Sequence, residues 1–96
     1  MVKLCAIDFE TYLISEEQPI PRPVCLSYAY SESHKGLTVG YEEMDKLLSE
    51  LLKDEDTILI AHNAIFEAGV ILKHFPHHWD IFWDKVHRGQ FQCTKL

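Results

Sequence analysis

No stretch of this 96-residue chain approaches the ~20 consecutive apolar residues that a membrane span requires. Its opening, MVKLCAIDFE, does not read as a secretory leader, because Asp8 interrupts the apolar run where it should continue. Cysteine is scarce. Cys5, Cys25 and Cys93 are three in number and far apart, which argues against a disulfide framework or a zinc knuckle. Cys5 and Cys25 fall in strand-like runs and read as small buried hydrophobes. Cationic charge is scarce as well. Nine Lys and Arg residues stand against fifteen Asp and Glu, the net charge is −6, and the cations are scattered. A protein that grips duplex DNA by its backbone carries a basic face, and nothing here supplies one. Were nucleic acid the substrate, bound cations would have to neutralise phosphate, and they would also account for the excess of acid. What is plentiful is apolar side chain, 47% of the residues, so the composition is that of one small globular domain. A soluble, cytoplasmic protein that makes no membrane contact is the expectation.

Residues 2–9, VKLCAIDF, are rich in β-formers and read as a central strand. Three prolines between positions 19 and 23 make the following segment a loop. VCLSYAYS, 24–31, alternates, with Val24, Leu26, Tyr28 and Tyr30 on one side. SESHKG turns, and LTVGY, 37–41, returns as a third strand, so short connections predict an antiparallel meander. EEMDKLLSELLKDED places Met44, Leu47, Leu48, Leu51 and Leu52 on one helical face, with Glu42 and Glu43 in the first turn. TILIAH, 57–62, is a buried strand expected to lie parallel to the first. NAIFEAGVILKHF is a second helix with Asn63 as N-cap and Phe66, Val70, Ile71 and Phe75 inside. A third short helix starts after Pro76 and ends at Gly89, with Trp79, Phe82 and Trp83 expected in the core. QFQCTKL shows no turn signal or cap. The order is that of an α/β domain, a mixed sheet with its first three strands antiparallel.

Asp8 and Glu10 are two apart on a strand, so both leave on one face. Like charges that close raise each other's pKa unless a cation sits between them. Hard oxygen donors on one face suit Mg²⁺ or Mn²⁺. Strand 57–62 should run beside the first, so that Glu67, in the first turn of the next helix, reaches the same sheet edge as a third carboxylate. The carboxyl ends of strands are the usual site in open α/β sheets. A second cluster, His74, His77 and His78, lacks partner cysteines and reads as a solvated helix end rather than a zinc site.

AIDFETYLI and AHNAIFEAGVI resemble the first two motifs of the DEDD exonuclease superfamily. The first motif, D-x-E followed by Thr, corresponds to Asp8, Glu10 and Thr11, and the second, N-x-x-[FY]-D, to Asn63, Phe66 and Glu67, about 55 residues on. AIDFETYLI through PRPVCLSYAY looks most like the proofreading domain of phage family A DNA polymerases, and QCT near the end resembles the segment after their second motif. AHNA-x-F also fits the proofreading subunits and exoribonucleases of the superfamily, although those read T-T-G where this chain has Thr11-Tyr12-Leu13. Glu67 stands where the second motif normally ends in Asp. No Y-x-x-x-D or H-x-x-x-D, the third motif, follows Glu67. The resemblance implies an RNase H-like fold, incomplete at the C-terminus. Residues 1–96 are then expected to be the N-terminal portion of one 3′–5′ exonuclease domain, as a split-gene product or a gene fragment, inactive alone or needing a second chain.

The implied reaction removes a 3′-terminal nucleotide from single-stranded DNA with two divalent cations, Mg²⁺ or Mn²⁺. Asp8, Glu10 and Glu67 are the implied metal ligands, with Asp8 bridging. Thr11, Tyr12, Leu13, Asn63 and Phe66 are the implied substrate contacts, Leu13 as an apolar wedge and Phe66 stacking. The implied partners are the DNA 3′ end and a polymerase domain or a separate C-terminal chain, in the host cytoplasm if phage-encoded. The alternative outside nucleases is a non-catalytic, acidic interaction domain in which D-x-E is incidental.

Overall fold

In the computed structural model, residues 2–31 and 34–94 are described. The tip of the expected turn SESHKG, at Glu32 and Ser33, lies outside them, as do Met1, Lys95 and Leu96.

Nine residues, Lys3–Thr11, form β1 and bury Cys5, Ile7 and Phe9 while the alternate positions stay exposed. That alternation is what a strand covered on one face requires. β2 (Pro23–Tyr30) and β3 (Lys35–Val39) pair antiparallel in sequence, so the meander is present. β3 ends two residues earlier than expected, because Gly40 takes a positive φ of 91° and Tyr41 already opens helix α1 (Tyr41–Lys53). β4 (Thr57–Ala61) lies parallel to β1, with Cys5 opposite Leu59. After α2 (Ala64–His74), a 3-10 turn (Pro76–His78) and α3 (Trp79–His87), the tail adds an unexpected strand, β5 (Phe91–Cys93), parallel to β4. Among the described residues the sheet has five strands in the order β3-β2-β1-β4-β5. The fold is α/β, with a mixed sheet and three helices. No helix of the described residues is long and apolar enough to cross a membrane.

All of the buried strand side chains, Cys5, Ile7, Phe9, Leu26, Thr57, Leu59 and Ala61, belong to one sheet face. Met44, Leu48, Leu51 and Leu52 of α1, Val70 and Ile71 of α2 and Phe82 of α3 close over it. Among the described residues the opposite face is uncovered, and Leu4, Leu37 and Val39 stand exposed there. Tyr28 lies flat over Gly36, its partner on β3; a Cβ at Gly36 would sit 2.7 Å from the Tyr28 hydroxyl. Gly89 ends α3 at φ 73°, where its N–H bonds to the Val86 carbonyl and the Gln90 N–H reaches back to Lys85, a Schellman closure.

Two expectations for the third helix fail. Trp79 and Trp83 are about half exposed, and the buried stripe is Phe82 and Lys85. A three-residue spacing puts Lys85 beneath Phe82, and its ammonium donates to the Asp54 carbonyl at 2.9 Å and to Gln90 Oε1 at 3.2 Å. Burial lowers the Lys85 pKa, and these two acceptors, one at the end of α1 and one just beyond α3, hold its charge.

Candidate functional site

β1 and β4 run parallel, so their carboxyl ends share one rim of the sheet. Asp8 and Glu10 lie on the last turns of the β1 pleat and project, exposed, from the uncovered face. Odd-numbered β1 residues direct their N–H groups toward β4, as Lys3 does toward Asp56. The β1–β4 register stops at Ala6 opposite Ile60, so the N–H of Phe9 has no strand to meet. Glu67 takes its place. From the first turn of α2 it accepts the Phe9 N–H on Oε2 at 3.0 Å and is 3% exposed. A glutamate one residue earlier or later would point away, because α2 turns ~100° per residue.

Burial pushes the Glu67 carboxyl up to about 7; the Phe9 N–H opposes this, and the negative charges of Asp8 and Glu10 add to it. Burial, helped by the two neighbouring negative charges, thus holds a proton near neutrality on a side chain that normally loses it. Such a site is short of positive charge, and its donors are all hard oxygens, the set that suits Mg²⁺ or Mn²⁺. The three carboxylates are not gathered into a cage. Among the described residues, the trio whose ligand atoms all lie within 4.8 Å of one another is Asp45, His77 and His78, where α1 meets the Pro76–His78 turn, and Asp8, Glu10 and Glu67 form no such group.

A groove of ≈ 270 Å³ runs beside Glu10, lined by Phe9, Thr11, Tyr12, Leu13, Ile14 and Phe66. It brings together four of the five expected substrate contacts. Leu13 is 93% exposed, Tyr12 and Ile14 are also exposed, and Phe66 is half-buried against the core. The Thr11 hydroxyl is turned back to donate to the Tyr12 carbonyl at 2.9 Å. The loop behind the groove is fastened to α2, where Lys73 Nζ and His74 Nε2 both donate to the Ile20 carbonyl. A larger, mostly apolar depression of ≈ 530 Å³ touches Asp8 and spreads over the uncovered face toward Leu37.

Asn63 is not in the groove. It occupies the N-cap position of α2, but its side chain makes no capping bond, contrary to expectation. The Ala64 N–H is met instead by Cys93 Sγ at 3.4 Å, and the Thr94 N–H bonds to the Ala61 carbonyl. Strand β5 thus supplies at this rim what the cap residue does not, and a three-residue strand carries too short a pattern to be read from sequence.

Comparison with known proteins found no matching family model, no matching curated protein and no matching solved structure.

Proposed function

We propose that this chain is part of a metal-dependent 3′–5′ exonuclease domain with an RNase H-like fold. It would act on the 3′ end of single-stranded DNA as a proofreading module of a phage family A DNA polymerase. The observation that carries the reading is Glu67, brought by α2 onto the β1 backbone between Asp8 and Glu10. An antiparallel meander extended by parallel strands, in the order 3-2-1-4-5, supports the fold. A proofreading subunit or exoribonuclease of the same superfamily is the alternative within this reading.

Asp8, Glu10 and Glu67 would hold two Mg²⁺ or Mn²⁺ ions. In such sites the pair, ~3.5–4 Å apart, stabilises both the attacking and the leaving oxygen of an in-line displacement. Thr11 and Tyr12 would position the terminal nucleotide in the groove, with Leu13 wedged against its base. Phe66 would stack near the penultimate base, a contact of ~1–3 kcal/mol. Metal charge is what lets an acidic rim accept a phosphate.

Two features favour a second reading, the non-catalytic acidic interaction domain: the carboxylates stand apart, and no Y-x-x-x-D or H-x-x-x-D follows Glu67. Calorimetric titration with Mn²⁺ separates the two. The nuclease reading expects binding by the wild type that Asp8→Ala weakens at least tenfold; equal heats from both proteins would leave the interaction domain. Digestion of a 5′-labelled single strand in Mn²⁺ is expected to be slow or absent for this chain alone, because turnover in the cytoplasm would need a polymerase domain or a separate C-terminal chain.

A further inference from the structure

Where α1 meets the Pro76–His78 turn, two imidazoles converge on one carboxylate oxygen. Asp45 Oδ1 accepts from His77 Nε2 at 2.6 Å and from His78 Nε2 at 2.7 Å. The two rings lie 4.2 Å apart. His78 is buried, whereas His77 and Asp45 are partly open to solvent. A single ion pair needs one histidine, so a second imidazole aimed at the same oxygen is the arrangement a shared central ion would organise.

The trio is held from outside itself. Tyr41, one helical turn before Asp45 on the same face of α1, stacks on Phe75 with ring centroids 4.7 Å apart. Its hydroxyl donates to the His74 carbonyl at 2.8 Å. The 3-10 turn is fixed in turn by the His78 N–H on the Phe75 carbonyl. The carboxylate and the two imidazoles therefore sit on rigid elements joined by contacts that do not involve them.

We propose that Asp45, His77 and His78 form a zinc site that staples the Pro76–His78 turn to α1. Two imidazoles and one carboxylate are a zinc donor set, and three protein ligands leave a fourth, solvent-facing position for water. Tetrahedral bonds of ~2.0–2.2 Å place ligand atoms roughly 3.3 Å apart. The present 2.6–2.7 Å separations then open by about half an ångström, within a change of side-chain torsions. Each imidazole binds as its Nδ1–H tautomer with the lone pair on Nε2. His74 takes no part, since its Nε2 is engaged with the Ile20 carbonyl.

The test is Zn²⁺ titration of the whole chain in excess Mg²⁺, which occupies hard-oxygen sites and leaves imidazoles open. One equivalent is expected to bind the wild type. Asp45→Asn and His77→Ala should each weaken it at least about tenfold, while Asp8→Ala leaves it unchanged. Both substitutions are mild, since asparagine keeps the shape of Asp45 and the His77 side chain is half exposed; far-UV circular dichroism checks the fold. Co²⁺ in place of Zn²⁺ should give the strong visible bands of a four-coordinate site, lost in His77→Ala. Failure of the wild type to bind Zn²⁺, or equal affinity in wild type and both cluster variants, would overturn the proposal. Because the readout is taken with the rim saturated, failure here is distinct from failure of the nuclease reading.

Discussion

Replacing Glu67 by glutamine should make the protein more stable, by a margin that opens as pH rises from 4.5 to about 7 and is full above it. In the folded chain the Glu67 carboxyl titrates near 7, against 4.5 in its ordinary setting. Below pH 4.5 both states hold the proton and the residue contributes no pH dependence. As pH rises from 4.5 to 7 the unfolded chain releases its proton first, so stability falls. Above 7 the loss is complete. At about 1.4 kcal/mol per pH unit, the displacement amounts to about 3 kcal/mol. Glutamine stays neutral throughout and its amide oxygen still accepts the Phe9 N–H. The variant should therefore match the wild type near pH 4.5 and exceed it by about 3 kcal/mol at pH 8.5. With a urea m-value of about 1.5 kcal/mol/M, the midpoints separate by about 2 M. The share due to the exposed charges of Asp8 and Glu10 shrinks with salt, and the share due to burial does not. Mg²⁺ or Mn²⁺ should close the gap at pH 8.5 by stabilising the wild type and not the variant. Urea curves at four pH values suffice. A gap that is the same at pH 4.5 and 8.5, or a variant less stable at pH 8.5, would refute the placement of Glu67 as a buried, proton-holding carboxyl.

Lys85→Ala should destabilise by about 2–3 kcal/mol, since it strands the Asp54 carbonyl and Gln90 Oε1 in the interior, whereas Lys85→Met keeps the stem packed and should recover part of that loss; chemical denaturation of the pair decides, and equal losses would mean that packing is not involved. Gly36→Ala drives a methyl into the Tyr28 ring and should cost about 1–3 kcal/mol, a loss relieved in the Tyr28→Ala background, as a double-mutant cycle would show. Phe75→Ala removes a fully buried ring packed between Phe9 and Tyr41 and should cost about 3–5 kcal/mol in thermal or urea unfolding.

Periodicity alone carried most of the architecture. The β-former content of β1, the leucine face of α1 and the β-branched run of β4 are local patterns, and each appears where the sequence puts it, whereas the one-sided burial of β1 came from the fold. The pairing of β4 parallel to β1 was also legible, because a helix between two buried strands leaves little other geometry. Gly89 marked the end of α3 because only a residue tolerant of positive φ closes that turn. The placement of three acids was also legible from spacing, Asp8 and Glu10 on one strand face and Glu67 in the first turn of the following helix.

What tertiary structure decided is where side chains far apart in the chain meet. Glu67 is buried because β4 stops short and leaves the Phe9 N–H unpaired, a fact of strand length and register that no local pattern contains. Trp79 and Trp83 stayed outside while Lys85 went in, because the acceptors that make a buried ammonium tolerable come from the end of α1 and from Gln90. Packing alone sets Asp45 against two histidines 32 and 33 positions later. Sequence fixes periodicity because periodicity is set by each residue's own backbone geometry; contacts across the fold depend on how the whole core closes, and only the closed core reveals them.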